Sequence, residues 1–205
     1  MIELFLSAFI TFFVVIDPPG CAPIYASLTG SAPPRQRRIM AIRAVIVAAL
    51  ILAVFAAFGE QLLGALGISL DSFRIAGGIM LFIIALEMVF EKRTQRREDR
   101  AQEIIDQPEI EDVSIFPMAM PMIAGPGSIA AVMLLMSQNE GLENSLIIMA
   151  AMVAVLSLTL TGLLLAGPLM RVLGGNVEAV LTRVLGVLLG ALAVQFVIDG
   201  LKASF

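Results

Sequence analysis

Histidine is absent from this 205-residue chain, and cysteine occurs once, as Cys21. A single thiol excludes an intrachain disulfide, and without histidine no cysteine–histidine metal cluster can form. Any proton-linked chemistry therefore falls to carboxylates. Charge is scarce as well: 15% of residues are Asp, Glu, Lys or Arg, where a soluble domain carries about a quarter. The net charge of −4 says little about partners, because the charges sit in patches. Nucleotide-binding motifs are missing, so ATP-driven work would need another subunit. A paired Ser/Lys site and metal-ligand spacing are missing too, which argues against an intramembrane enzyme, and nothing in the pattern requires a cofactor.

What the chain has instead is apolar length. Hydrophobic residues make up 59% of it and the mean hydropathy is +0.97. Several runs exceed the ~18 apolar residues that suggest a membrane span. The fold class expected is an all-α integral membrane protein with six hydrophobic elements, at residues 2–28, 39–63, 70–90, 113–137, 146–170 and 177–202. The first run opens Met1-Ile2-Glu3 with no basic segment before it, unlike a cleavable signal. Residues 91–112 form the long hydrophilic stretch, mixing Lys92, Arg93, Arg96, Arg97 and Arg100 with Glu91, Glu98, Asp99, Glu103, Asp106, Glu109, Glu111 and Asp112. Its first part could extend the third helix into water, and the whole reads as a solvated connector without chemistry.

Basic residues orient such a chain, because cytoplasmic loops retain Lys and Arg. Of the 13, only Arg74 and Lys202 fall on one side. The others flank the first connection (Arg35, Arg37, Arg38, Arg43), the connector, and the last connection (Arg171, Arg183). Both termini are therefore expected outside the cell (inner) membrane, with the basic connections in the cytoplasm.

The two halves resemble each other. Ser7 to Gly20 lies over Ser114 to Gly127 without a gap, matching Ser7/Ser114, Phe9/Phe116, Ile16/Ile123, Pro19/Pro126 and Gly20/Gly127. Leu66-Gly67 lies over Leu173-Gly174, and with a small offset Arg74 lies over Arg183 and Gly77 over Gly186. Three spans per half place the second copy upside down relative to the first. This predicts an inverted repeat, residues 1–90 and 113–205, joined by 91–112.

Each repeat carries a break where a span should be continuous: Asp17-Pro18-Pro19-Gly20 and Ala124-Gly125-Pro126-Gly127. Proline removes a helix donor and clashes with the preceding turn, and a freed backbone group in hydrocarbon costs several kcal/mol. In the second span the pieces before and after the break cover roughly 18 and 16 Å, which puts that break near mid-membrane. A half-helix starting there presents unpaired N–H groups and partial positive charge. Asp17 followed by Pro18 reads as an N-cap ahead of a first-turn proline. The second break has no capping side chain. The candidate substrate site is therefore Asp17, Pro19, Gly20, Gly125, Gly127 and Ser128. A ligand carboxylate is expected at Gly127 and Ser128, and an ammonium near Asp17. With no histidine, Asp17 is also the candidate for coupling to H⁺ or Na⁺.

Blander accounts cover other residues. Glu87 is expected to snorkel, and Glu60, Asp71 and Asp199 sit near helix ends. Ser157, Thr159 and Thr161 are expected to bond their own backbone. Gly186 and Gly190 suggest close helix packing, the methionines core filling, and Arg74 and Arg183 anchoring.

The first break with Pro23, and above all the run Phe116-Pro117-Met118-Ala119-Met120-Pro121-Met122-Ile123-Ala124-Gly125-Pro126-Gly127-Ser128-Ile129, resemble the MarC family of bacterial and archaeal membrane proteins. The resemblance covers nearly the whole chain. It implies six spans with outward termini, and the family includes small neutral amino acid transporters. Many members have Asn where this chain has Asp17. The expected function is secondary transport of small neutral amino acids such as glycine, alanine or serine. The rivals are an exporter or channel for other small metabolites and a structural or regulatory membrane protein. Three prolines within the fourth element argue against mere anchoring.

Overall fold

The computed structural model describes residues 1–105, 112–139 and 141–204. Asp106, Glu109 and Glu111 of the connector lie outside the described residues, as do the side chains of Arg93, Arg100, Glu103, Arg171, Leu173 and Val177. All regular structure among the described residues is helical. Helices α1 (Ile2–Ile16) and α2 (Pro18–Leu28) meet at Asp17, α3 covers Pro34–Ala65 and α4 Leu70–Val89. The connector holds a helix of its own, α5 (Lys92–Ile105). A wide-turn segment, Ser114–Ile123, leads into α6 (Pro126–Gln138), followed by α7 (Leu142–Leu164) and α8 (Ala166–Ser204). Five of these stretches are long and apolar enough to cross a membrane, and six if the Ser114–Ile123 and Pro126–Gln138 pair, bent by 51°, forms one span.

The wide-turn segment follows from its prolines. Pro117 and Pro121 have no N–H to give the turn before them, so an ordinary helical ladder cannot propagate. The residues ahead of them, Phe116 (φ −121°, ψ 126°) and Met120 (φ −131°, ψ 125°), are extended, as steric contact with the proline ring demands. Wider bonds carry the backbone instead, from Met118 N–H to Val113 O at 3.2 Å and from Ala124 N–H to Ala119 O at 2.8 Å.

Two expectations about boundaries change. The fifth element ends at Leu164, not residue 170, and the next helix begins at Ala166. Pro168 explains this, because proline is tolerated in a first turn and not within the preceding helix. Nor does the connector extend α4. The chain turns at Phe90 and Glu91, the latter at φ 59°, and α5 starts anew.

The molecule is apolar inside and outside. Phe12, Ile16, Tyr25, Met118 and Met152 are buried, while Ile46, Leu50, Val54 and Phe58 run along one exposed face of α3 at helical spacing. One buried cluster joins α1, α2, α3, the wide-turn segment, α6 and α7. A second joins α4 and α8 to α1 and α6 through Val14, Val15, Ala131 and Leu134. Helices α4 and α8 run antiparallel: Cβ atoms added at Gly78, Gly186 and Gly200 would fall 2.7 Å from Val197, 2.8 Å from Met88 and 3.0 Å from the Asp71 carbonyl oxygen. Gly186 thus has the close-packing role expected of it. Ser157, Thr159 and Thr161 donate to the carbonyls of Val153, Val155 and Ser157, again as expected. Arg74 does more than anchor: it pairs with Asp71 at 3.1 Å and donates to Ser137 O at 3.1 Å, fastening α4 to the end of α6.

Candidate functional site

Asp17 serves two helices at once. Its N–H donates to Phe13 O at 3.0 Å, closing α1. Its carboxylate Oδ1 accepts the Gly20 N–H at 3.2 Å, capping α2, with Pro18 and Pro19 in the first turn. The N-cap expected of the Asp-Pro pair is present. The backbone at Asp17 is left-handed (φ 59°, ψ 65°), a region that Asp and Asn enter more readily than other side chains. Gly20 is required by this arrangement, because a Cβ there would lie 2.3 Å from Asp17 Oδ2.

The other carboxylate oxygen has a partner from the connector. Arg97 Nη1 lies 3.1 Å from Asp17 Oδ2, and the two side chains are only 11% and 2% exposed. The connector therefore does not remain a solvated tether: α5 lies against α2 and α4 and delivers a guanidinium to the first break. Two charges taken out of water together attract each other strongly, and removing one partner of such a pair typically costs about 3–5 kcal/mol.

Further ion pairs hold the connector on several elements. Arg96 pairs with Glu87 of α4, Arg183 of α8 with Glu91, and Arg43 of α3 with Asp112. Glu87 is thus engaged by Arg96 of the connector. At Asp112, partial burial opposes ionisation, but hydrogen bonding from Ser114 and the nearby Arg43 guanidinium outweigh it and hold the carboxyl below its ordinary value.

Beside the pair lies a cavity of about 390 Å³, within the range of roughly 300–1,000 Å³ usual for small-molecule sites. Its polar wall is Glu87, Arg96, Arg97 and Ser128, with Gly125, Pro126 and Gly127 of the second break; Val15, Met80 and Ile84 add apolar surface. Asp17 does not line it, whereas Arg97 both lines it and holds Asp17. The second break is uncapped by any side chain. The Ser128 hydroxyl is committed to Ile123 O at 2.8 Å, so only its backbone N–H faces a ligand role. Gly125 and Gly127 allow tight approaches: added Cβ atoms would lie 2.4 Å from Pro121 O and 2.6 Å from Ile84 Cδ1. Pro19 and Gly20 lie in the first turn of α2 and are not part of the cavity wall. Among the described residues, no group of three or more Asp, Glu or Cys could hold a metal ion.

Arg97 and Glu87 were not legible as site residues. In the structure Arg97 shares its helix face with the buried Ala101, four residues on, a single small residue that does not rank Arg97 above the other basic residues in the sequence.

The description "MarC family integral membrane protein" matches residues 2–205. A UPF0056 membrane protein of Methanocaldococcus jannaschii is 36% identical over 99% of this chain and 98% of its own. The UPF0056 membrane protein YvbG of Bacillus subtilis is 32% identical over 100% of this chain and 97% of its own. YhcE of Escherichia coli is 32% identical over 96% of this chain and 91% of its own. No solved structure matches.

Proposed function

This chain belongs to the MarC family of integral membrane proteins and is a multi-pass membrane protein, and from that premise we propose that it is a secondary transporter of small neutral amino acids, not an enzyme. The observation that carries the reading is a buried carboxylate at a helix break paired with a largely shielded guanidinium, beside a cavity that a second break helps to line. Ionisable groups inside a membrane are expensive and usually functional. The substrate ammonium is assigned to Asp17 and the carboxylate to the N-terminal end of α6 at Gly127 and Ser128, with Pro19, Gly20 and Gly125 shaping the breaks. Asp17 is the candidate for coupling to H⁺ or Na⁺.

The packing supports an inverted repeat. Exchanging α1 and α2 with the wide-turn segment and α6, α3 with α7, and α4 with α8 turns most of the larger helix contacts into one another. Helices α1 and α2 pack on α7 as the wide-turn segment and α6 pack on α3. Likewise α2 meets α8 as α6 meets α4, and α4 meets α8 in both views. The bias of the basic residues supports a reading in the cell (inner) membrane with both termini outside and α5 on the cytoplasmic side. Uptake of labelled glycine, alanine and serine into proteoliposomes, with and without a pH or Na⁺ gradient, tests the reading. Gradient-dependent accumulation is expected. Equilibration without accumulation would indicate a channel, and no flux would defeat transport of this class.

A further inference from the structure

The connector carries the most informative group outside the two breaks. Helix α5 is strongly hydrophilic and most of its described side chains face water, yet Arg97 is largely withdrawn from water against the buried Asp17. Asp17 is itself fixed, with one oxygen on the Gly20 N–H and the other on Arg97. A guanidinium has five N–H donors, and the described contact with Asp17 uses one of them, leaving Arg97 free to bond a second partner in the cavity it lines. The neighbouring charges already balance, since Glu87 is matched by Arg96.

We propose that Arg97 reads the substrate carboxylate across the cavity from the N-terminal end of α6, and that a zwitterionic substrate binds by dividing the Asp17–Arg97 pair. This rests on the transporter reading above and names the residue and the ligand charge pattern. A cation entering alone would take Asp17 and leave Arg97 buried without a counter-charge. An anion alone would strand Asp17. A compact ligand bearing one ammonium and one carboxylate replaces both halves of the bond, so that no buried charge is left uncompensated. The guanidinium also suits a carboxylate better than an ammonium side chain would, because its planar fork matches two oxygens. Specificity then arises from charge compensation, with the cavity limiting side-chain size. Division of the pair also loosens α5 from α2, which makes the connector part of the site.

The test measures binding of alanine, alaninamide (the cation alone) and propionate (the anion alone) to purified full-length protein, alongside alanine counterflow in proteoliposomes. Wild type is expected to bind alanine and to reject both analogues by at least tenfold. Arg97→Gln should lose alanine binding by tenfold or more and gain alaninamide, whose ammonium can pair with Asp17 without bringing a carboxylate that has lost its counter-charge. Arg97→Lys, which keeps the charge, should bind alanine more weakly than wild type while still excluding alaninamide. The doubly neutral Asp17→Asn/Arg97→Gln protein guards against misfolding caused by an orphaned charge; monodisperse on a sizing column, it should bind none of the three. Normal alanine binding by Arg97→Gln or by the double variant would overturn the role of Arg97 while leaving amino acid transport standing. Equal binding of alanine and alaninamide by wild type would do the same. Wild type that neither binds nor exchanges alanine would defeat both.

Discussion

Arg97 Nη1 reaches Asp17 Oδ2 at 3.1 Å across a sequence separation of 80 residues, joining the charged connector to the first helix break. Asp17 thereby combines a cap for α2 with one half of a buried ion pair. The two roles are separable by mutation.

Asp17→Asn keeps the cap, because Asn caps about as well as Asp, and tolerates the left-handed backbone. It removes the charge opposite Arg97. Thermal unfolding in detergent should show a loss of about 3–5 kcal/mol, because the Arg97 guanidinium is left without its counter-charge. Gradient-driven uptake should fall with it. If exchange survives while gradient-driven uptake is lost, Asp17 is the coupling group; loss of both with weakened binding identifies it as the ammonium partner. Unchanged uptake and affinity would reduce it to a cap.

Gly20→Ala sets two effects of opposite sign against each other. Helix propensity alone favours alanine by up to ~1 kcal/mol. The added methyl carbon, however, would fall 2.3 Å from Asp17 Oδ2 and must push the carboxylate off both of its partners. We expect the clash to win, with a net destabilisation of about 1–3 kcal/mol and reduced transport. A more stable, fully active variant would show that the carboxylate position does not matter.

At the second break, Gly125→Ala should be worse than Gly127→Ala. The first forces a contact with the backbone oxygen of Pro121, which cannot rotate away. The second meets Ile84 Cδ1, the far end of a side chain that can. Surface expression and thermal stability of the two variants, compared side by side, give the ranking; a reversed order would mean that the bend adapts more readily than the packing against α4.

Acid should weaken the clasp between Arg43 and Asp112. The Asp112 carboxyl is held below its ordinary value in the folded protein, so its contribution is complete above the unfolded value near ~3.9 and is lost as pH falls through the lower folded value. Both side chains are substantially exposed, so solvent screening limits the effect to under about 1 kcal/mol. Unfolding of Asp112→Asn measured between neutral pH and pH 3 should show a slightly flatter acid limb than wild type.

Topology can be read by cysteine labelling in intact cells. Reagents confined to the outside should reach both termini but neither the turn at residues 35–38 nor the connector at 91–112. External labelling of the connector would invert the orientation and the sidedness of the Arg97 contact.

Much of this was legible in local sequence because local physics decides it. Apolar runs of spanning length report the membrane elements, Pro117 and Pro121 report the interrupted ladder, and Asp17 ahead of Pro18 reports the cap. Each depends on residues within a turn or two of one another. Ser157, Thr159 and Thr161 follow the same rule, their hydroxyls finding the carbonyl four residues back.

The pairing of Arg97 with Asp17 was not of that kind. Within the connector, Lys92, Arg93, Arg96, Arg97 and Arg100 are chemically near-equivalent, and hydrophobic patterning cannot rank a helix with almost no apolar face. That Arg97 reaches Asp17 depends on the turn at Glu91 and on how α5 lies across α2 and α4. Only the tertiary structure decides that. A buried charge needs its partner at one place in space, whereas chain separation bears only weakly on that requirement.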